Sequence, residues 1–127
     1  MDFEDALKSE LATIPDLTNR IFPLTGPEGQ SAPYVVYALT DDVQERTLDG
    51  YIFYREITCE LHILHSKYFS LSDLKRQITS LIDSFQRRVI GGDNGLFVQS
   101  ATYEKVNEMY LPDLLQYLCV LEMKVSL

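Results

Sequence analysis

Apolar side chains recur at helical spacing along the first part of the chain. They fall on every third or fourth position between Asp2 and Ile14, which is the pattern of a helix with one buried side. Asp2 suits the N-cap of this helix, and Pro15 ends it. The pattern predicts a helix over residues 2–14 that docks on a sheet through one apolar face, formed by Phe3, Ala6, Leu7, Leu11 and Ile14.

Two β-prone segments follow the helix. The run Tyr34–Thr40 is β-branched and aromatic, with apolar side chains on both faces, and predicts a strand that is covered twice. The segment Tyr51–Leu64 alternates between apolar and polar side chains, so it predicts a strand with one buried face. We interpret the polar segment Asp41–Gly50 between them as a loop longer than a tight turn, a property often linked to function. The short segment Arg20–Phe22 is compatible with one further strand.

The second half of the chain again shows a helix followed by two strands. An apolar stripe predicts a helix from Ser70 to about Arg88, in which Ser70 and Asp73 have the spacing of a capping box. The breaker Gly91–Gly95 then ends the helix. Alternating patterns predict two closing strands, Leu96–Tyr103 and Leu114–Val125. The segment Glu104–Asp113 is predicted to connect them.

These elements follow one another in the order α-β-β-α-β-β. With 127 residues and 46% apolar content, the chain is large enough for one core and too small for two. The sequence therefore predicts a single α+β domain over residues 1–127, with a mostly antiparallel four-stranded sheet and two helices packed on one face.

The charge balance is strongly acidic. Because 19 Asp and Glu stand against 11 Lys and Arg, the net charge is -8, and a sequence-independent attraction to nucleic-acid phosphates is not expected. The sequence has no run of 18 apolar residues that would predict a membrane span, and its acidic N-terminal segment is unlike a secretory leader. These features predict a soluble, cytosolic protein without a membrane partner.

The reactive residues form no pattern that predicts catalysis, a cofactor or a metal. Cys59 and Cys119 lie in alternating apolar runs, where thiols are expected to be reduced and buried. His62 and His65 are three positions apart in a strand and so point to opposite faces, which leaves zinc without a ligand set. The glycine-rich segment 91–95 lacks the Lys-Ser/Thr continuation of a phosphate-binding loop. We therefore predict a protein without an enzymatic site.

The tyrosines suggest a different role. Several of the eight tyrosines lie at predicted strand ends or near loops, where we expect about half to cap the core and the rest to make contacts with a partner. Tyr110, Leu111 and Pro112 form an apolar group in an otherwise polar connection. They are candidate contact residues.

Three motifs keep a fixed order in the first half of the chain: RIFP at residues 20–23, PYVVY at 33–37 and RTLDG at 46–50. In this arrangement the chain resembles, over nearly its whole length, the tail-completion family of long-tailed bacteriophages and prophages. The resemblance implies a structural virion protein that caps the end of a tail tube as a ring, usually of six copies, and joins it to the head connector.

The resemblance also implies partners and a location. The partners are further copies of the chain, the tail tube protein and the head connector protein. DNA passes through the ring without being bound specifically. The protein would assemble in the bacterial host cytoplasm and reside at the tail-head junction of the virion. The matched motifs contain no enzymatic residue.

A closed ring needs two different complementary patches on every subunit. Asp41–Gly50, which carries RTLDG, and Glu104–Asp113 are the candidate segments. The candidate interface residues are Asp41, Asp42, Glu45, Arg46, Thr47, Leu48, Asp49, Tyr110, Leu111 and Pro112. Because like charge eases the passage of DNA through a lumen, Glu56 and Glu60 are the candidate channel-facing residues, together with the acidic positions 41, 42 and 45.

An alternative reading of the same pattern is a cytosolic adaptor domain that binds a peptide partner along the edge of its sheet. An enzyme with a polar cleft is a third possibility. Self-association into a ring distinguishes the first reading from the second.

Overall fold

The computed structural model describes residues 2–24, 32–46, 53–92 and 94–127. Within these ranges the α+β class predicted from the sequence is confirmed. The elements follow in the order α1 (Phe3–Leu11), a 3-10 turn (Pro15–Leu17), β1 (Ile21–Pro23), β2 (Tyr34–Arg46), β3 (Phe53–His65), α2 (Tyr68–Asp83), β4 (Arg88–Ile90), β5 (Leu96–Val98), β6 (Ser100–Leu111) and β7 (Gln116–Ser126).

The prediction of a mostly antiparallel four-stranded sheet is wrong. The main sheet has five strands in the order β1-β2-β3-β7-β6, and β4 and β5 form a separate two-stranded sheet. The main sheet is mixed because β1 pairs with β2 in parallel, whereas its other neighbouring strands are antiparallel. Two of the three additional strands lie in segments that the sequence marked. Strand β1 overlaps the segment Arg20–Phe22, and the predicted strand Leu96–Tyr103 is divided into β5 and the start of β6. Strand β4 was not predicted, because three residues are too few to show an alternating pattern.

The glycine-rich segment 91–95 forms a turn, as its composition predicts, but it does not stop the second helix, which ends earlier, at Asp83. It turns the chain between β4 and β5, with Ile90 paired to Leu96 on either side. A Cβ atom added to Gly95 would lie 1.8 Å from the carbonyl oxygen of Ile90, so only glycine allows this close approach. Asp93 lies outside the described residues.

The two helices begin in different ways. Asp2 caps α1 as predicted, accepting a hydrogen bond of 2.8 Å from the N–H of Asp5. The predicted capping box in the second helix is wrong, because α2 begins two residues before Ser70 and Lys67 precedes it without a side-chain cap. The helix also ends at Asp83, before the predicted end at Arg88. No helix in the described part of the chain is long and apolar enough to span a membrane.

The core lies between the two helices and one face of the main sheet. Each apolar residue of β3 on this face pairs with an apolar residue of β7, so the sheet contributes a continuous buried surface. These pairs are Ile57 with Val125, Cys59 with Met123, Leu61 with Leu121 and Ile63 with Cys119. The helices cover this surface with Phe3, Leu7 and Leu11 from α1 and with Leu71, Leu74, Ile78 and Ile82 from α2.

The two cysteines are free and fully buried in this core, as the sequence predicts. Burial raises the pKa of the Cys59 thiol to about 12 and also raises the pKa of Cys119. Both side chains therefore remain protonated thiols at neutral pH and act as packing groups.

The opposite face of the main sheet has no helix over it among the described residues, and we call it the open face. Its centre is polar, with Glu56 and Glu60 of β3 on the same side, as the sequence predicts. Glu122 and Lys124 of β7 lie beside them. At the other end of the open face the side chains of Leu64 and Val120 are almost fully buried, so neighbouring side chains cover that end.

The predicted loop over Asp41–Gly50 is wrong for its first six residues. Strand β2 continues through Asp41 and Asp42 to Arg46, and pairs with β3 as far as Arg46 opposite Phe53. The Cα pairing between β3 and β7 stops at Glu56, and a last hydrogen bond joins the N–H of Leu127 to the carbonyl oxygen of Arg55. Beyond this point β2 and β3 continue as a two-stranded arm over residues 43–46 and 53–54, with Asp42 and Arg55 at its base. The segment 41–46 shows no apolar alternation, so its sequence did not predict a strand.

Glu10 joins α1 to the β4–β5 hairpin. Its carboxylate accepts hydrogen bonds from Arg88 at 2.9 and 3.2 Å and from the N–H of Gly91 at 3.2 Å. Burial raises the pKa of Glu10, but these hydrogen bonds and the charge of Arg88 outweigh burial and lower that pKa below its ordinary value of 4.5. The ionised form of Glu10 therefore stabilises the folded chain.

We expect Glu10→Gln to lower the free energy of unfolding at pH 7 by about 1–3 kcal/mol, the range for a hydrogen bond to a charged group. Because the pKa of Glu10 is lower in the folded state, its contribution is complete above pH 4.5 and is lost as the pH falls through the lowered folded value. Denaturant titrations at a series of pH values measure both effects, and the two stability curves should converge in acid.

The matched control is Asp83→Asn. Asp83 is exposed at the end of α2 and makes no ion pair with another described residue, so its replacement should leave the shape of the pH dependence unchanged. A stability difference for Glu10→Gln that persists unchanged below the folded pKa would contradict the assignment.

Candidate interaction surfaces

An apolar groove lies at one end of the molecule, where the beginning of α2 meets the β6–β7 hairpin. It has a volume of about 220 Å³. Its walls come from α2 and from the β6–β7 hairpin, which lies further along the chain. The lining residues are Tyr68, Leu71, Glu108, Met109, Tyr110, Tyr117 and Leu118.

Three tyrosines fix the shape of this groove. The ring centre of Tyr117 lies 4.8 Å from that of Tyr110 and 5.7 Å from that of Tyr68. Tyr110 and Tyr117 are directly opposite each other in the β6–β7 pairing, so their separation follows from the strand register. The Tyr68 ring also contacts Phe69 edge to face at 5.7 Å. Packed rings of this kind form a rigid wall, because aromatic side chains have few rotatable bonds.

Exposed apolar side chains lie next to the groove residues along the chain. Phe69, 83% exposed, follows Tyr68, and Leu114 and Leu115, 56% and 70% exposed, lie on the turn that leads to Tyr117; Met109, which lines the groove, is 42% exposed. Single exposed apolar residues are ordinary on a soluble protein, but a contiguous patch marks a contact surface. We call this patch, with the groove beside it, the aromatic groove.

Leu115 adopts a backbone conformation that does not favour leucine. Its φ angle is +54°, in the left-handed region, where a side chain with a Cβ atom costs about 1–2 kcal/mol per residue. The turn over Pro112–Leu115 would accept glycine or asparagine at this position at lower cost. Leu24, 74% exposed with a φ angle of +60°, is a second leucine in this conformation.

An ion pair forms one side of the groove. Lys75 Nζ lies 3.0 Å from Glu108 Oε1, and Lys105 Nζ lies 3.8 Å from the same oxygen. The hydrogen bond from Lys75 lowers the pKa of Glu108 and raises that of Lys75, although burial opposes both shifts. Two neighbouring cations thus favour the ionised form of the Glu108 carboxylate. The ion pairs fix the Glu108 side chain in place at the side of the groove.

The structure brings together part of the candidate interface predicted from the sequence. Tyr110 is half-exposed in the aromatic groove, Leu111 ends β6, and Pro112 begins the turn. The predicted connection over Glu104–Asp113 is wrong, because residues 104–111 belong to strand β6.

The other candidate interface segment lies at the opposite end of the sheet, at the base of the arm and along it. Asp42 makes a bidentate ion pair with Arg55 at the base of the arm, at 3.0 and 2.8 Å. The hydrogen bond from Arg55 lowers the pKa of Asp42. Asp41 is exposed and accepts a hydrogen bond from the N–H of Asp42. Thr47, Leu48 and Asp49 lie outside the described residues, as do the side chains of Glu45 and Arg46.

Sequence reasoning missed Phe69 and Leu115. Phe69 lies just before the helix predicted from Ser70, whereas in the structure it belongs to the first turn of α2 and stands outside the buried stripe of that helix. Leu115 was part of a predicted strand, and nothing in its local sequence indicates a turn with positive φ. The alternation of β7 did predict which of its residues face the helices, including Tyr117 and Cys119.

The open face carries a row of carboxylates. Glu60, Glu122 and Glu104 are consecutive neighbours across β3, β7 and β6. Like charges in directly opposed positions destabilise a sheet, and His62 offsets part of this effect because its Nε2 lies 2.6 Å from Glu60 Oε1. A shallow cavity of about 210 Å³ adjoins the row and is lined by Thr102, Tyr103, Glu104, Glu122 and Lys124.

The described lining residues of the two cavities include no nucleophile hydrogen-bonded to a base. Each thiol lies in the core. The described part of the chain has no group of three His, Cys, Asp or Glu side chains arranged to hold a metal ion.

Comparison with known proteins gives a match in structure alone. No family model matches the sequence, and no curated protein matches it. The chain is similar to a solved chain from the virion of a native gene transfer agent particle, with a TM-score of 0.66 and 8% sequence identity. The match covers 98% of this chain and 92% of that chain. At this level of identity the likeness shows that the two chains share a fold from end to end.

Proposed function

We propose that this protein is a structural component of a virion, which caps the end of a tail tube and joins it to the head connector as a ring. The observation that carries this proposal is the end-to-end fold match to a chain from a gene transfer agent virion. The order of the RIFP, PYVVY and RTLDG motifs supports the narrower tail-completion role, since the same order resembles that family.

The distribution of polar groups supports a docking function over an enzymatic one. Glu10, Asp42 and Glu108 are each held by a cation in an ion pair between elements. These pairs fasten a helix to a hairpin, one strand of the arm to the other, and a helix to a strand. Such groups stabilise the shape of a subunit and leave its surfaces free for partners.

The positions of the candidate surfaces support a ring. A heterologous contact that repeats around a closed ring uses two different patches of each subunit. The aromatic groove with Tyr110, Leu111 and Pro112 lies at one end of the sheet, and the arm that leads to residues 47–49 lies at the other. Six copies is the number that the family resemblance implies.

The open face is our candidate for the surface that lines the DNA path. Besides Glu56 and Glu60, it carries Glu104 and Glu122 in line with Glu60. Carboxylates repel phosphates, so a lumen lined by this face would let DNA slide without holding it.

A second candidate function is a peptide-binding adaptor, and strand β6 favours it. This strand is twelve residues long and lies at the edge of the main sheet. Its outer side has no strand partner among the described residues, and a long unpaired edge is a template for an added strand. A chain that binds extended peptides, and is absent from assembled particles, would support the adaptor over the ring.

Electron microscopy of particles assembled with and without this protein tests the proposed role. If the protein terminates the tube, we expect overlong tubes in its absence. If it acts only in joining, we expect tubes of normal length without heads. Particles that remain normal and joined without the protein would rule out the tail-completion role.

Charge reversal on the open face tests the channel assignment. We expect Glu60→Lys combined with Glu122→Lys to slow DNA exit from packaged particles without preventing particle assembly, because a basic lumen attracts phosphates. Release of DNA after a trigger, followed by fluorescent dye binding, measures the rate. The matched control is Glu4→Lys, on helix α1 away from the open face. An unchanged rate in the double variant would place the open face outside the channel.

A further inference from the structure

The β4–β5 hairpin presents two apolar side chains to solvent. Val89 and Phe97 are directly opposite each other in the pairing and are 45% and 54% exposed. Their neighbours Ile90 and Val98 point the other way and are fully buried. The hairpin is thus anchored in the core on one side and holds a valine and a phenylalanine outward on the other.

This hairpin and the aromatic groove lie at opposite ends of helix α2. The groove is built on Tyr68 at the first turn, and the hairpin follows soon after the last turn at Asp83. A helix of 16 residues is about 24 Å long at 1.5 Å per residue. A subunit therefore cannot place its own hairpin in its own groove, but another copy can.

The groove and the hairpin are matched in size and character. The groove, at about 220 Å³, is below the range of roughly 300–1,000 Å³ usual for small-molecule sites, and it suits one or two side chains. Its tyrosine walls offer the edge-to-face contacts that a phenylalanine ring prefers.

Charge adds to the match. Arg87 is exposed directly before the hairpin, and Asp113 is exposed on the turn beside the groove. Neither side chain makes an ion pair with another residue in the described ranges. In a chain with a net charge of -8, copies repel one another, so a contact between copies gains from an exposed arginine opposite an exposed carboxylate.

From these observations we infer that the aromatic groove of one subunit receives Val89 and Phe97 of the β4–β5 hairpin of the next copy, with Arg87 of that copy facing Asp113. The contact joins two different surfaces and so repeats from copy to copy until a ring closes. This inference rests on the proposed ring and assigns its subunit contact to surfaces that differ from the arm.

Two variants that each lose one side of the contact test this arrangement. Phe97→Asp removes the apolar side chain of the hairpin, and Tyr110→Asp removes a wall of the groove. Both residues are about half-exposed, and circular dichroism with thermal unfolding verifies that each variant folds. By analytical ultracentrifugation we expect self-association of each variant alone to be about 30-fold weaker than that of the unmodified chain, as for an interface hot spot.

The mixture of the two variants gives the decisive result. The Phe97→Asp variant keeps an intact groove, and the Tyr110→Asp variant keeps an intact hairpin. One contact can therefore form between the two variants, and we expect an equimolar mixture to form dimers and nothing larger. Unimpaired assembly of either variant alone would overturn the inference, as would a mixture that stays monomeric.

Disulfide trapping detects the contact even when it is weak. A chain carrying both Phe97→Cys and Tyr110→Cys should form a ladder of multimers on mild oxidation, whereas each single variant should stop at dimers. Cys59 and Cys119 are fully buried and do not interfere. The matched control pair is Val43→Cys with Tyr110→Cys, because Val43 is exposed on the arm. A ladder of multimers in the control pair and none in the test pair would show that the groove contacts the arm of the next copy instead of its hairpin.

The Leu115→Gly variant distinguishes an effect on self-association from an effect on folding. The glycine relieves the positive φ angle of the turn, so we expect the unfolding temperature to stay the same or rise. Loss of the exposed leucine beside the groove should nevertheless weaken self-association by about tenfold or more. Unchanged self-association in this variant would show that the rim of the groove is not part of the contact.

The subunit contact and the proposed tail role can be rejected independently of each other. A chain that forms rings through the arm, with normal tails in its presence and abnormal tails in its absence, would overturn the subunit contact and leave the tail role intact. A ladder between hairpin and groove in a protein that particles do not need would support the contact and reject the tail role.

Discussion

The structure depends on the burial of one face of the five-stranded sheet beneath two helices. On this face β3 and β7 contribute paired apolar residues, such as Ile57 with Val125 and Leu61 with Leu121. Each fully buried isoleucine or leucine side chain contributes about 1.5–3 kcal/mol. A slip of one residue in the pairing would turn these side chains toward the open face and expose them to water, so this burial also sets the strand register. The positions of the carboxylate row and of the tyrosine pair follow from that register.

Because the core uses only one face, the other surfaces are free to carry features that do not serve folding. The open face tolerates three neighbouring glutamates across β3, β7 and β6. Strand β2 extends beyond the sheet in an arm held by the Asp42–Arg55 ion pair. Leu115 keeps a positive φ angle although other residues fit that position at lower cost. The opposed glutamates and the positive φ angle each oppose stability to a small extent, whereas the Asp42–Arg55 ion pair favours the folded chain.

The ends of the molecule have opposite characters. At one end, the first turn of α2 and the β6–β7 hairpin form a concave aromatic surface. At the other, the β4–β5 hairpin exposes Val89 and Phe97 and is fastened to α1 through Glu10 and Arg88.

The sequence by itself determined the elements that show a long periodic pattern: the helix capped by Asp2, the alternating strands β3 and β7, the buried cysteines and the α+β class. These follow from local spacing, because a period of 3.6 or 2 is visible within one segment. The three-residue strands are too short to show a period, and the polar arm has none. The aromatic groove, the carboxylate row and the separation of groove from hairpin join residues as distant as Tyr68 and Tyr117, or Glu60 and Glu104. Only strand order and register bring such residues together, and those are decided by how the whole chain buries its single apolar face.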